Sequence, residues 1–244
     1  MECYDEFALC YDKLMEDVDY KIWVDYINNG ILKHSNGVKN VLEMACGTGN
    51  LTQYLVKNPW FYSAFDISEQ MLSIAREKLI KEHIKWSLQN MIDFHFVELF
   101  DLIIAGCDGI NYLKDDNEMF MAFKNIRKHL KKDGLFVFDV STPYKFENQL
   151  KDKTIIIDED DITVIWQNYY NSKKYNIKMD LIFFEKEDNG QYNRYEEQHI
   201  QHSNSLDNLK EMLTKAGFDE INVYGDYKFK KASETDERWY FFVK

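Results

Sequence analysis

The sequence predicts an α/β fold in which a parallel β-sheet carries helices on both faces. Apolar runs of strand length alternate with segments of helical periodicity from residue 38 to residue 140, an alternation typical of parallel sheets. Between residues 147 and 202 the pattern changes to β-rich segments separated by polar turns. That stretch predicts an antiparallel meander inserted into the α/β domain.

The first strand, turn and helix of this sheet carry the strongest local signal. An apolar run over residues 41–44 passes into a turn with Gly47 and Gly49, and an amphipathic run begins at Leu51. Glycine permits positive φ and lets a ligand approach the backbone, and the opening helix directs unpaired N–H groups toward the loop. The turn is therefore a candidate site for a nucleotide-like ligand.

The next unit repeats the same order. Residues 61–65 are predicted to form a buried strand that ends at Asp66, and Ser68 is a suitable N-cap for the helix that follows. Asp66 lies 23 residues after Glu43, close to where nucleotide-binding βαβ units place the acid that receives ribose hydroxyls. Asp66 is therefore a candidate binding residue.

Three more strands extend the predicted sheet, over residues 84–88, 102–105 and 135–140. A helix separates the last two strands, and its basic last turn followed by Gly134 predicts a helix end at that glycine. The strand over residues 102–105 leads to Asp108. Because open α/β sheets bind ligands at the carboxyl ends of their strands, Asp108 is a candidate for a ligand contact.

The chain divides into three predicted parts. Residues 1–37 form a helical lid segment, in which Trp23, Ile27 and Ile31 follow helical spacing and Gly30 is expected to help end the helix. Residues 38–146 and 203–244 form the α/β domain. Residues 147–202 form the inserted antiparallel lid over the substrate site.

Composition restricts the classes of function. The net charge of −12 argues against a broad nucleic-acid surface, which needs clustered Lys and Arg. The four cysteines (Cys3, Cys10, Cys46 and Cys107) show no C-x-x-C spacing, so free thiols in a reducing cytoplasm are expected and no metal site is predicted. No apolar run approaches the length of a membrane span, so the sequence predicts a cytoplasmic protein without a membrane partner.

The chain resembles the class I S-adenosylmethionine-dependent methyltransferases over nearly its whole length. The resemblance rests on residues 43–49, on residues 66–68 with Met71, and on the terminal strand at residues 238–243. It implies a Rossmann-like seven-stranded sheet whose last strand is antiparallel, and S-adenosyl-L-methionine as the cofactor.

The resemblance also implies the cofactor-binding residues, namely Glu43, Ala45, Cys46, Gly47, Gly49, Asp66, Ile67, Met71, Asn90, Met91 and Cys107. Glu43 would act on the methionyl part, and Asp66 would accept both ribose hydroxyls through its two oxygens. Ala45 replaces the first glycine of the family's loop, and Asn90 replaces the usual acidic or polar partner of the adenine amino group. Ile67 and Met91 either enclose the adenine or belong to the core.

A narrower resemblance is to bacterial small-molecule methyltransferases such as the sugar-amine N-methyltransferases and glycine N-methyltransferase. It rests on Tyr4-x-x-Phe7-x-x-x-Tyr11-Asp12, on residues 107–112, on Phe138-Asp139, and on an inserted sheet ending at His199. It implies methyl transfer to N or O of a small molecule by in-line displacement. It leaves open whether the protein is a monomer or a homodimer.

The acceptor site is expected to include Tyr11, Asp108, Asn111 and Tyr112. Tyr11 and His199 are the candidate catalytic residues, because a tyrosine face stabilises a sulfonium charge and an imidazole is a suitable base near neutral pH. Plain packing of either side chain is the competing interpretation, and for His199 it is the favoured one.

Three other functions remain open at this stage. An RNA or protein methyltransferase would use the same cofactor site, although the acidic charge disfavours RNA and the chain has neither a Pro-Pro-aromatic segment after the fourth strand nor a Pro-Cys dipeptide. In a dinucleotide-dependent oxidoreductase the third glycine would fall at Thr52, which is too large for close helix–strand packing. A non-catalytic cofactor binder would have the same binding residues, so only an activity assay separates it.

Overall fold

A computed structural model gives the fold and describes residues 7–15, 18–35, 37–187 and 189–244. The strands in this part of the chain are β1 (Asn40–Met44), β2 (Phe61–Asp66), β3 (Ile84–Leu88), β4 (Phe100–Ala105), β5 (Leu130–Ser141), β6 (Thr154–Asp158), β7 (Ile162–Asn171), β8 (Asn176–Lys186), β9 (Tyr192–His202), β10 (Ile221–Gly225) and β11 (Arg238–Val243). The helices are α1 (Phe7–Leu14), α2 (Tyr20–His34), α3 (Thr52–Leu55), α4 (Glu69–Lys78), α5 (Asp116–His129), α6 (Pro143–Lys145) and α7 (Leu206–Ala216).

The larger sheet formed by these residues has seven strands in the order β10-β11-β5-β4-β1-β2-β3. Strand β11 runs antiparallel to both of its neighbours, while the pairs among β1 to β5 are parallel. The predicted seven-stranded sheet with an antiparallel last strand is confirmed. Because the strand order reverses between β1 and β4, the loops after these two strands border a crevice at the carboxyl edge of the sheet.

Helices cover both faces of this sheet with apolar side chains. Phe123 of α5 and Leu213 of α7 are fully buried on one face, and Ile27 of α2 and Leu72 of α4 are fully buried on the other. Complete burial of side chains of this size stabilises the fold by about 1.5–3 kcal/mol each. None of the helices in the described ranges is long and apolar enough to cross a membrane.

The predicted meander is a separate four-stranded antiparallel sheet in the order β6-β7-β8-β9. One face of this sheet, which includes Val164 and Phe183, packs with Ala8 of α1, Met71 of α4 and Phe146. The inserted sheet is therefore held against the N-terminal segment and against the helix that follows β2. The strands β6 to β9 fall within the predicted insert, residues 147–202.

The expected helix end at Gly134 is wrong. Helix α5 ends at His129, and the chain continues directly as β5. The pairing of β5 with β4 shifts register between Leu130 and Leu135, so an irregular stretch of strand occupies residues 131–134. The predicted basic last turn is present in α5 as Arg127, Lys128 and His129, whereas Gly134 belongs to the irregular strand.

Gly30 does not end its helix either. It lies inside α2 and is buried, and a Cβ at this position would lie 2.1 Å from Cε1 of Phe242. Phe242 is fully buried on β11. A glycine therefore lets α2 pack directly on the sheet, because any side chain would displace a core aromatic ring.

The contact between Gly30 and Phe242 gives a test of the packing. An exposed Gly→Ala change inside a helix gains about 1 kcal/mol from helix propensity, but overpacking a core costs about 1–3 kcal/mol. We expect Gly30→Ala to lower the free energy of unfolding in urea by about 1–2 kcal/mol. Asn29→Ala, at the adjacent exposed position of the same helix, is the control and should be neutral or slightly stabilising. A stabilised Gly30→Ala protein would show that α2 does not pack as described.

Candidate functional site

A cavity of about 360 Å³ opens at the carboxyl ends of β1, β2 and β4. Twelve of the predicted site residues line it, namely Tyr11, Glu43, Ala45, Cys46, Gly47, Asp66, Ile67, Met71, Asn90, Met91, Cys107 and Tyr112. The remaining predicted residues, Gly49, Asp108, Asn111 and His199, are not part of its wall. The volume is that of a typical small-molecule site.

The turn after β1 places three residues in the left-handed region. Ala45, Gly47 and Gly49 have φ values of 50°, 56° and 81°. A Cβ on Gly47 would meet no protein atom within 4 Å, whereas a Cβ on Gly49 would lie 3.1 Å from Leu79 Cδ1. Gly47 therefore leaves space on the cavity side for a ligand, and Gly49 allows the turn to pack against the end of α4.

Asp66 joins the ends of β1 and β2. Its Oδ2 accepts a hydrogen bond from the N–H of Gly47 at 2.8 Å, and its Oδ1 accepts one from the N–H of Ser68 at 2.9 Å. Burial raises the pKa of Asp66, and these backbone donors oppose the shift. The carboxylate thus fixes the glycine turn, and each oxygen keeps acceptor capacity toward the cavity.

Glu43 is buried at the end of β1 and lines the cavity. Its Oε2 accepts hydrogen bonds from Thr52 Oγ1 at 2.7 Å and from Tyr62 Oη at 2.9 Å. Burial raises the pKa of Glu43 to about 7, although both hydroxyl donors act in the opposite direction. The side chain is therefore poised to ionise when a cation comes close.

The loop after β3 closes one side of the cavity. Asn90 Oδ1 accepts a hydrogen bond from the N–H of Ile92 at 3.0 Å, which leaves the amide one further lone pair. Met91 is partly buried, and Ile67 is 60% exposed although it is apolar. An exposed isoleucine at the cavity wall fits the ligand interpretation of Ile67 better than the core interpretation.

Helix α1 is fastened to the glycine turn through Asp12, in a cluster that we call the Asp12 latch (Asp12, Thr48, Asn50 and Lys78). Asp12 Oδ1 accepts hydrogen bonds from Thr48 Oγ1 at 2.6 Å and Asn50 Nδ2 at 2.9 Å. Lys78 Nζ forms an ion pair with Asp12 Oδ2 at 2.7 Å. The latch holds Tyr11, the preceding residue, in the cavity wall. Tyr4, which belongs to the same sequence motif, lies outside the described residues.

One end of the cavity is formed by phenol and thiol groups. Tyr11, Tyr20, Cys107 and Tyr112 all line it. Burial raises the pKa of Tyr11, and its neighbours Tyr20, Cys107 and Tyr112 raise it further. The pKa of Cys107 is likewise raised, first by burial. Tyr11 and Cys107 therefore stay neutral near pH 7, and the three tyrosines provide aromatic faces and hydroxyls to a ligand.

Asp108 belongs to a buried ion cluster behind this end of the cavity. Its Oδ1 accepts a hydrogen bond from Arg238 Nη2 at 3.0 Å, its Oδ2 accepts one from Gln201 Nε2 at 2.9 Å, and Arg238 also bonds to Asp139. Burial disfavours ionisation, but the Arg238 guanidinium and nearby Lys145 lower the pKa of Asp108 overall. The geometry gives Asp108 a role in joining the loop after β4 to β5, β9 and β11.

Asn111 and His199 also lie behind the wall. Asn111 is buried, and its side chain donates to the carbonyls of Ser141 and His202 at 3.0 Å each, which ties the root of the insert to the sheet. His199 Nδ1 lies 3.4 Å from Tyr112 Oη, and its Nε2 lies 3.1 Å from Glu197 Oε2. Within the described part of the chain, His199 reaches the cavity through its contact with Tyr112.

Sequence reasoning missed several lining residues. Among them are Tyr20, Thr48, Asn50, Leu51, Phe65, Gln89, Gly106 and Lys114. Thr48 and Asn50 flank the second glycine of the predicted turn, so the turn itself was the available signal. Tyr20 begins α2, and no local pattern distinguishes it from a core aromatic. No His, Cys, Asp and Glu cluster suited to a metal ion occurs among the described residues.

The raised pKa of Glu43 predicts a pH dependence of stability for the ligand-free protein. Between about pH 4.5 and pH 7, folded Glu43 holds a proton that the unfolded chain has released, so stability falls as the pH rises through this window. Glu43→Gln does not titrate and keeps an oxygen for Thr52 and Tyr62. From pH 5 to pH 8 we expect the wild type to lose roughly 2–3 kcal/mol of unfolding free energy relative to the variant. If the unfolding free energies of the wild type and the variant, measured in urea, changed equally with pH, a buried, proton-binding Glu43 would be refuted.

Comparison with known proteins identifies the family. A sequence model of a methyltransferase domain matches residues 41–134. The chain is 34% identical over 244 residues to a protein of Geobacillus sp. (strain WCH70) assigned to the methyltransferases, and the match covers 99% of each. The crystal structure of an S-adenosylmethionine-dependent methyltransferase from Clostridium acetobutylicum ATCC 824 aligns with a TM-score of 0.88 and 30% identity, over 100% of this chain and 99% of that one. A sugar N-methyltransferase from Streptoalloteichus sp. ATCC 53650 shares the fold, with a TM-score of 0.76 and 18% identity over 98% of this chain and 92% of that one.

The cavity fits the cofactor of this family. S-adenosylmethionine has a sulfonium and an ammonium cation and two ribose hydroxyls, and the wall provides two buried carboxylates, Glu43 and Asp66, with acceptor oxygens for these groups. The open space at Gly47 allows close approach to the backbone. The chain is a member of the S-adenosylmethionine-dependent methyltransferases, with S-adenosylmethionine as its cofactor.

Proposed function

We propose that this enzyme transfers a methyl group to a nitrogen or oxygen atom of a small molecule by in-line displacement. The observation that carries the proposal is the end of the cavity lined by Tyr11, Tyr20 and Tyr112, where Tyr20 is buried and the other two tyrosines are partly buried. Helix α1 supplies the first of these tyrosines and is fastened to the glycine turn by Asp12. A wall of this kind suits a small acceptor better than a polymer, because a polymer needs an open groove.

The comparisons support the same substrate class. The sugar N-methyltransferase that shares the fold acts, by its name, on an amine of a sugar. A second structure with this fold is described as an amino pentose methyltransferase, and a related sequence as an N,N-dimethyltransferase of an amino sugar. An amine-bearing small molecule is therefore the favoured acceptor, and the atom that is methylated is part of the proposal.

The residues of the chain have separate roles in this mechanism. S-adenosylmethionine supplies a methyl group made electrophilic by its sulfonium sulfur. Asp66 and Asn90 hold hydroxyl and amino groups, and Glu43 balances positive charge once it has ionised. Tyr11 and Tyr112 orient the acceptor, since alignment of the reacting atoms is the main requirement of this displacement.

We propose two lids over the cavity, residues 1–37 and 147–202. Support comes from Met71 of α4, which lines the cavity and packs with Ala8 of α1 and Val164 of the inserted sheet. The acidic charge and the absence of C-x-x-C spacing fit a cytoplasmic enzyme acting on something other than nucleic acid. The protein would act as a monomer or as a homodimer.

Methyl transfer to a panel of acceptors tests the proposed function. We expect labelled methyl from S-adenosylmethionine to appear in small amines or hydroxyl compounds, and in neither RNA nor protein. Gly47→Ala puts a methyl group into the open space of the cavity and is the control for a contaminating activity, so its transfer rate should fall with every acceptor. Label that enters RNA or protein alone would contradict the proposal, and cofactor binding without any transfer would favour a non-catalytic binder.

Removing the Asp12 latch tests the role of α1. Asp12→Ala removes two hydrogen bonds and an ion pair of a partly exposed carboxylate, which should weaken S-adenosylhomocysteine binding by roughly 1 kcal/mol, about fivefold. Calorimetric titration measures the affinity, and stopped-flow measures the dissociation rate, which should increase. Asp25→Ala, at an exposed position on α2, is the control. Equal affinity and equal dissociation in both variants would mean that α1 does not close the cavity.

A further inference from the structure

A row of polar side chains lies on the buried face of the last strand of the inserted sheet. Glu197, His199 and Gln201 alternate along β9 and are all buried. Their partners on β8 are Leu181, Met179 and Ile177, which are apolar. The run of three buried polar residues therefore belongs to β9, and it faces the loop after β4, because Gln201 bonds to Asp108 and His199 contacts Tyr112.

Glu197, His199 and Tyr112 form a continuous chain of contacts that ends in the cavity wall. Glu197 Oε2 lies 3.1 Å from His199 Nε2, and His199 Nδ1 lies 3.4 Å from Tyr112 Oη. The side chains of His199 and Glu197 are 3% and 5% exposed, whereas Tyr112 lines the cavity. The chain thus begins in the interior of the insert and ends at the site of the reaction.

One tautomer of a neutral His199 satisfies both contacts at once. An ionised carboxylate only accepts hydrogen bonds, so in this tautomer Nε2 carries the proton and donates it to Glu197. The lone pair then lies on Nδ1, which accepts the hydrogen bond of the Tyr112 hydroxyl. At 3.4 Å this bond is long, and such bonds shorten when a substrate is bound. An acid that orients a histidine, which in turn accepts from a hydroxyl, is the arrangement that activates hydroxyl groups in many enzymes.

Stability does not account for the pair. Burying a glutamate beside a histidine costs desolvation energy, and an apolar pair of similar volume is often equally or more stable. Most of the rest of the insert's inner face, including Val164, Met179 and Phe183, is packed in the apolar way, although Asn168 on β7 is also buried. Buried ionisable groups next to a cleft are more typical of functional sites than of a core that only stabilises the fold.

We propose that Tyr112, His199 and Glu197 form a proton relay that removes the proton from the methyl acceptor. The inference rests on the proposed function and narrows it to acceptors with a hydrogen on the reacting atom, which are amines and hydroxyls. The acceptor's lone pair forms the new bond to the methyl carbon while the carbon–sulfur bond breaks and its electrons stay on sulfur. The acceptor's proton passes to Tyr112 Oη, the proton of Tyr112 passes to His199 Nδ1, and the imidazolium is balanced by Glu197 until it releases the proton to solvent. Tyr112 contacts the acceptor, and His199 and Glu197 act through it.

Isosteric variants test the relay in turnover. Tyr112→Phe should lower kcat about 100-fold and Glu197→Gln at least about tenfold, with the KM for S-adenosylmethionine changed less than about twofold. The double variant should be no slower than Tyr112→Phe, because both changes break one chain. Tyr170→Phe, on β7 of the same inserted sheet, is the control and should keep wild-type kcat. An unchanged kcat in Tyr112→Phe, or losses that multiply in the double variant, would overturn the relay while leaving the methyltransferase function intact.

Nitrogen NMR of the histidine side chains gives a readout that needs no turnover. We expect His199, identified by the resonance lost in His199→Gln, to carry its proton on Nε2, and its Nδ1 resonance to move in Tyr112→Phe. A proton on Nδ1, or an Nδ1 resonance that ignores Tyr112→Phe, would overturn the relay. If the wild-type protein transfers no methyl group to any amine or hydroxyl compound, the proposed function fails, and the relay that rests on it fails with it.

Discussion

The carboxylate of Asp66 is the interaction on which the site depends. One of its oxygens accepts a hydrogen bond from the N–H of Gly47, and the other accepts one from the N–H of Ser68. One side chain thereby fixes the turn after β1, whose backbone faces the cavity, and the start of α4, whose Ser68 caps the helix. Because α4 also carries Met71 and Lys78, the positions of the inserted sheet and of the Asp12 latch follow from the same contact.

Electrostatics at this site are arranged for a cationic ligand. Two carboxylates, Glu43 and Asp66, are buried in the wall, and burial raises the pKa of both. Their ionised forms gain most from a positive charge placed beside them. Burial raises the pKa of Tyr11 and Tyr20 at the other end, so these phenols stay neutral near pH 7. The site thus separates a charge-compensating half from a half of neutral aromatic groups.

Local sequence predicted the parts of the structure that depend on neighbours in the chain. The glycine turn, the Ser68 cap and the strand pattern each arise from adjacent residues. The Asp12 latch joins residues 36 apart or more, and the contact between Asn111 and His202 spans 91 positions. Gly30 was misread for the same reason, because its constraint comes from Phe242 on the last strand. Long-range partners leave no periodic trace in a single sequence.

The insert leaves the sheet after Ser141 and returns at Ser203, and these two points are joined directly. Ser203 Oγ donates to the Ser141 carbonyl at 2.9 Å, and Asn111 bonds to Ser141 and His202. A loop closed at its base can change sequence without moving the strands that hold the cofactor. The Glu197–His199 pair on β9 is thus physically separable from the turn that binds the cofactor, and an exchange of residues 147–202 between relatives would carry this pair with it as one unit.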